Sequence, residues 1–240
     1  AKKEGSVQIL SGHKAEKLIY EHGKVVGVEV LRLKDDVRIS LQAPRTVLAT
    51  GGFASDRSQG SYLDRHRPEL MNMAATAGTF STGDGIEMAT AIGAGLVDMD
   101  KVQIHPTGWV NPTDPNNTEK VLAAELMRGV GGVLINHRGE RFCNELGTRA
   151  YVTDKMLGHN PTYVRTSKWD PSAVVPTFSL VLSSSAAADG RKHVDLYVHK
   201  GLLFELHGIA ALADFLGVPT TRARDTLRQY REDAAAGRDR

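Results

Sequence analysis

Three strand-like runs, separated by two short polar turns, constrain the first part of this chain more than any other feature. Val25–Leu33 and Val37–Leu41 follow the two-residue period of a pleated strand, and Lys14–Tyr20 before them suits a further strand. Glu21-His22-Gly23-Lys24 and Asp35-Asp36 stand between them with the chemistry of tight turns. Strands joined this closely pair antiparallel, because a parallel pair needs a crossover of about a dozen residues or more. A β-meander is therefore predicted. Beyond Pro44, Thr46-Val47-Leu48-Ala49 reads as a fully buried strand that ends at Thr50-Gly51-Gly52-Phe53.

Helical signals follow. Asp56–Asn72 is polar and compatible with a helix, and Ala74–Ser81 reads as loop. Thr82-Gly83-Asp84-Gly85 opens a helix whose stripe is Ile86, Met88, Ala89 and Ile92. Asp84 suits a cap there, and the free N–H groups of such a start suit a phosphate. Val102-Gln103-Ile104 is strand-like. Later, Asn160-Pro161 and Asp170-Pro171 break helices. Ser183–Gly190 suits a loop or a helix, and Val194–Val198 alternates like a strand. Leu202–Leu216 has helical periodicity up to Gly217, and a second helix runs from Thr220 through Tyr230.

The chemistry concentrates in Val121–Arg149, VLAAELMRGVGGVLINHRGERFCNELGTR. With Ala123–Arg128 helical, Glu125 and Arg128 are three residues apart, share a face and can pair. Gly129, Gly131 and Gly132 allow a sharp turn or close approach to a ligand. Val133-Leu134-Ile135 is a short buried strand, Asn136–Gly139 a turn, and a helix starts near Ala150. His105-Pro106-Thr107 lies upstream. His, Glu and Arg on a glycine-rich scaffold suit a small anionic substrate that needs proton transfer. Each residue also has a plainer reading: a packed histidine at His105, a surface ion pair at Glu125 and Arg128, and a carboxylate clamp at Arg149.

These motifs in this order, HPTG, AELMRGVGGVLIN and GERFCNELGTR, resemble the soluble fumarate reductases, flavoproteins related to the flavin subunits of succinate dehydrogenase and aspartate oxidase. The resemblance implies an α/β plus α+β fold. Residues 1–99 would be part of an FAD-binding, Rossmann-type domain with its β-meander, and 100–240 a clamp domain that caps the substrate. It implies FAD as cofactor and a small dicarboxylate, fumarate or succinate, as substrate. Arg149 would deliver a proton to substrate carbon, with Glu125 and Arg128 resupplying it. His105 and Glu125 would bind substrate, as would Ala124, through its backbone because some relatives carry Thr there. Ala15 would meet the flavin adenine, and Ala49, Thr50, Gly51 and Asp84 the rest of the cofactor. A sibling activity, such as aspartate oxidase or another enoate reductase, stays open, as does a non-catalytic binding fragment.

No GxGxxG follows a strand: in Gly129-Val130-Gly131-Gly132 the next required glycine position is Leu134. The resemblance places that phosphate loop before the chain, and further flavin and substrate contacts after it. An internal piece of a longer polypeptide is thus expected, with the remainder of that polypeptide as its partner. Composition narrows the alternatives. A net charge of +2 is too balanced to argue for nucleic acid, and Asp225, Glu232, Asp233 and Asp239 offset the arginines of Arg222–Arg240. No run approaches the roughly 18 apolar residues of a membrane span. One cysteine, Cys143, excludes an internal disulfide, reads as a packed thiol and fits a reducing compartment such as the cytosol, the mitochondrion or another organelle. Nine histidines show no paired ligand spacing, so no metal site is expected.

Overall fold

The computed structural model describes residues 7–159, 164–166 and 174–238. The chain divides into two compact units: Ala1–Pro68 with Thr79–Lys101, and Glu69–Gly78 with Val102–Arg240.

The first unit is built on a three-stranded antiparallel meander in the order β1 (His13–Glu21), β2 (Lys24–Arg32) and β3 (Val37–Gln42). The first turn leaves two residues between strands, His22 and Gly23, both with positive φ (48° and 79°). That geometry matches strand twist, and glycine adopts it without a Cβ penalty. Arg32 closes the second turn on Asp35 through two bonds of 2.8 Å. Leu18, Gly27 and Val30 are the buried residues of the meander. Asp56–Asn72 forms one short helix, α1 (Tyr62–His66), capped by Ser61, and a single 3-10 turn at Pro68–Leu70. Helix α2 (Asp84–Thr90) packs on β1.

Two expectations are corrected here. Thr46–Ala49 is not a buried strand: it pairs with no strand among the described residues, and Val47 is 87% exposed. An apolar run becomes a strand only when a ladder accepts its backbone groups. Nor does Asp84 cap α2. Gly83 holds the cap position in the left-handed region, and Asp84 is the first helical residue, accepting from the Thr82 hydroxyl at 2.6 Å.

The second unit is organised around β4 (Val133–Ile135), three residues buried on both faces. It pairs antiparallel with β7 (Ser179–Val181). Val133 and Ile135 pack against Leu212 and Leu216 of α7 (Gly208–Leu216), with Leu227 and Tyr230 of α8 (Thr220–Ala235) at the edge. Leu134 points the other way, to Cys143 and to Val152 of α4 (Arg149–Leu157). The strand at Val133–Ile135 and the helix end at Gly217 (φ 65°) form as expected. Helix α3 (Glu125–Gly129) turns through Gly131, at φ 106°, and the Gly132 N–H bonds back to the Met127 carbonyl at 2.9 Å.

Three further expectations fail. Val102–Ile104 forms no strand. Val194–Val198 lies inside helix α6 (Arg191–His199), which follows α5 (Ser184–Asp189). Val194 and Tyr197, three apart on one helix face, pack with Met127 and Leu202, and that burial overrides the alternation. Leu202 and Leu203 reach the same cluster from a non-helical segment, so α7 begins only at Gly208. A small pair, β5 (Val164–Thr166) with β6 (Val174–Pro176), completes the unit. Asn160-Pro161, Asp170-Pro171 and Asp239 lie outside the described residues. The architecture is mixed α/β. Among the described residues no helix is long and apolar enough to cross a membrane.

Candidate functional site

Arg149 opens α4, with Thr148 as the cap accepting from the Tyr151 N–H. A cation at the positive end of a helix dipole is not held by the helix itself. It is held by two other segments. Nε and Nη2 donate to Glu125 Oε2 at 3.2 and 3.1 Å, and Nη1 donates to Gln103 Oε1 at 2.7 Å. Glu125 sits at the start of α3, where a carboxylate is favoured. Both partners of the pair are open to solvent, with side-chain exposure of 39% for Arg149 and 57% for Glu125. Gln103 has no signature in sequence beyond a strand-like neighbourhood, and its role emerges only in space.

The expected Glu125–Arg128 pair does not form, because Glu125 is turned to Arg149. Arg128 is 2% exposed. Its Nη1 donates to the Glu145 carbonyl at 2.6 Å, while Nε and Nη2 find no partner among the described residues. Burial pulls this guanidinium below its usual range; Glu125, at longer range, opposes the shift and Arg149 adds to it. Beside it lies an ion pair that sequence reading did not identify. Arg141 grips Glu145 with bonds of 2.6, 3.0 and 3.1 Å, and Glu145 Oε1 also accepts from the Leu134 N–H at 2.8 Å. The i,i+4 spacing of Arg and Glu was its only available signal.

His105 is half-buried, and its Nδ1 meets the Thr107 carbonyl at 3.0 Å. Nδ1 therefore carries the hydrogen, and donation from Nε2 requires the imidazolium. Burial holds its pKa below the usual value; the Thr107 carbonyl opposes this, Arg149 and Arg128 reinforce it, and Glu125 opposes it. His105, Glu125, Arg128 and Arg149 thus lie within electrostatic reach of one another. The Ala124 N–H donates to the Tyr197 hydroxyl at 3.0 Å. An apolar groove of ≈ 1920 Å³ is lined by His105 and Thr107 but not by Glu125, Arg128 or Arg149, so of the polar cluster it reaches His105. Cys143 is fully buried, and burial pushes its thiol up to about 12.

In the first unit the structure brings Thr50, Gly51 and Asp84 to one place. The Gly83 N–H bonds to the Gly52 carbonyl at 3.0 Å. A Cβ on Gly85 would stand 2.0 Å from the Thr50 hydroxyl, so only glycine permits this approach. Gly52 faces open space, a Cβ on Gly51 (φ 76°) would meet only the Ser81 hydroxyl at 3.9 Å, Ala49 and Thr50 are exposed, and a bulge follows Ala15 in β1. Exposed backbone beside a hydroxyl and a carboxylate fits a cofactor whose polar groups approach the main chain, as FAD would.

The chain has relatives among known proteins. The chain is 43% identical over 183 residues to a fumarate reductase of Schizosaccharomyces pombe, covering 76% of this chain and 32% of the relative. It is 34% identical over 189 residues to fumarate reductase 1 of Saccharomyces cerevisiae, covering 78% and 37%. Among solved structures it is similar to the open conformation of a flavocytochrome c3 fumarate reductase. There the TM-score is 0.62 at 27% identity, over 94% of this chain and 36% of that one. The chain thus spans about a third of the length of the curated relatives it matches. The model of the FAD binding domain family matches residues 1–240, and the chain belongs to that family, with FAD as its cofactor.

Proposed function

We propose that this chain is part of a flavin-dependent fumarate reductase that converts fumarate to succinate. Residues 1–99 would be part of a Rossmann-type flavin domain, and 100–240 the clamp domain. The chemistry FAD supplies when bound is hydride donation to an electron-poor alkene. Ala15, Ala49, Thr50, Gly51 and Asp84 would hold it. The chain's own residues do the rest. His105 binds a substrate carboxylate as imidazolium, and a dianion nearby favours that form. Arg149 gives a proton to the second alkene carbon. Glu125, hydrogen-bonded to Arg149, passes a replacement, and Arg128 feeds the pair from its buried position. A guanidinium is a weak acid, with a pKa above about 12, so donation depends on immediate resupply. The direction of the Arg128 shift eases that step.

One observation carries this reading: Glu125 and Gln103 fix all three donor nitrogens of Arg149 in a chain whose relatives are fumarate reductases. The exposed apolar run at Val47 and Leu48 supports a further partner, the remainder of a longer polypeptide, laid against it as a strand. The test is a substrate panel on the FAD-loaded full-length protein, with a reduced dye as electron donor for fumarate and urocanate and an oxidised dye as electron acceptor for aspartate. Fumarate should be reduced, with no turnover of urocanate and no oxidation of aspartate. Aspartate oxidation, or reduction of another enoate in preference to fumarate, would move the assignment to a sibling enzyme.

A further inference from the structure

The buried cluster behind the site holds two arginines, Arg128 and Arg141, and one carboxylate, Glu145, all under 9% exposed. A buried guanidinium ordinarily pairs with the nearest carboxylate, since an unpaired buried charge is costly. Arg128 does not. It meets Glu145 through the neutral backbone carbonyl, at 2.6 Å. The carboxylate of the same residue is turned away, held by three bonds to Arg141 and one to the Leu134 N–H. Arg141 is in turn fixed from the opposite side, its guanidinium 5.1 Å from the centre of the Tyr230 ring on α8.

We propose that Arg141 is a positioning residue for Arg128: by binding the Glu145 carboxylate bidentately, it keeps that carboxylate out of hydrogen-bond contact with Arg128 and leaves Nε and Nη2 without an anionic partner. The inference rests on the reading of Arg128 as part of the proton supply. A buried ion pair is weak evidence of stabilisation, because desolvation offsets most of its attraction. Its consequence here is for its neighbour. With Arg141 removed, Glu145 is free to swing to Arg128, fill its Nε and Nη2 positions and lock the proton in place. The substrate contacts at His105 and Arg149 are untouched by that rearrangement.

The test uses the FAD-loaded full-length protein with turnover expressed per bound flavin. Arg141→Met should lower turnover about tenfold or more while the Michaelis constant stays within about twofold. Arg141→Met with Glu145→Met removes the freed carboxylate and keeps the backbone carbonyl, so turnover should return to within about threefold of the parent. The single variant should also gain a pH dependence that the parent and the double variant lack. Its turnover should recover as acid protonates Glu145. A purely architectural pair would lower the melting temperature without that pH-linked recovery, and this result overturns the proposal. So does unchanged turnover in Arg141→Met, or a double variant as slow as the single. If Arg141→Met fails to retain flavin, Arg141→Lys, with one point of attachment instead of a fork, should show the same pH-linked loss more weakly; its absence overturns the proposal equally. Arg128→Gln separates the two levels. Parent-like turnover there removes the reading of the site and this inference with it. Loss there, with a normal Arg141→Met, removes the inference alone.

Discussion

Replacing Arg149 by lysine separates proton delivery from substrate clamping. The arginine makes three hydrogen bonds, at 3.2 and 3.1 Å to Glu125 and 2.7 Å to Gln103. A lysine keeps the charge but presents one ammonium in place of a planar fork, so it cannot hold both partners in the same geometry. The pair is open to solvent, 39% and 57% exposed, and screening limits its worth to about 1 kcal/mol or less. Arg149→Lys should therefore fold and bind flavin like the parent. Its effect on rate is much larger, because loss of a positioned proton donor costs about 10²–10⁴-fold, or roughly 3–5 kcal/mol of barrier. The assay is steady-state fumarate reduction at matched flavin content. Turnover and kcat/KM should fall together, as for an interaction made mainly in the transition state. Near-normal turnover with a raised Michaelis constant would refute the reasoning and leave Arg149 as a carboxylate clamp.

His105 predicts a proton-linked affinity. Its pKa is lowered chiefly by burial, so the free site is neutral near pH 7, and binding a dianion must draw in a proton. The Michaelis constant for fumarate should fall as pH drops toward the free-site pKa, His105→Gln should abolish that slope, and a flat profile in the parent contradicts it. Gly85→Ala would drive a methyl into the Thr50 hydroxyl 2.0 Å away and should cost about 1–3 kcal/mol with loss of flavin retention; Gly85→Ala with Thr50→Ala should recover part of it, measured by melting and by flavin absorbance. Cys143, raised to about 12 by burial, should resist thiol reagents at pH 8 until the protein unfolds. Because its folded pKa is raised, its stabilisation is complete below the unfolded value of about 8.5 and is lost as pH rises through the folded one. Leu134→Ala, at the centre of β4 and 2% exposed, should destabilise by about 2–5 kcal/mol in denaturant melts, and a change below 1 kcal/mol would mean that this core relaxes freely.

What is local is legible in the residues alone. Alternation with two tight turns was enough for the meander of β1 to β3, because neighbouring strands need no information from elsewhere in the chain. The run Val133–Ile135 and the glycine at 217 were likewise legible from hydrophobicity and backbone freedom. Motif order pointed to the flavoprotein family, and residue types marked His105, Glu125, Arg128 and Arg149. The pairings between side chains depend on the folded geometry. Spacing along α3 matched Glu125 to Arg128, yet Glu125 turned to Arg149, 24 residues away, and Arg128 to a carbonyl at residue 145. An ion pair goes to the partner that geometry and desolvation favour, and neither is encoded in a three-residue interval. The same holds for Thr46–Ala49 and Val194–Val198. Both carry a strand pattern, but a strand exists only where a ladder receives it. The first meets none among the described residues, and the second buries Tyr197 on a helix instead.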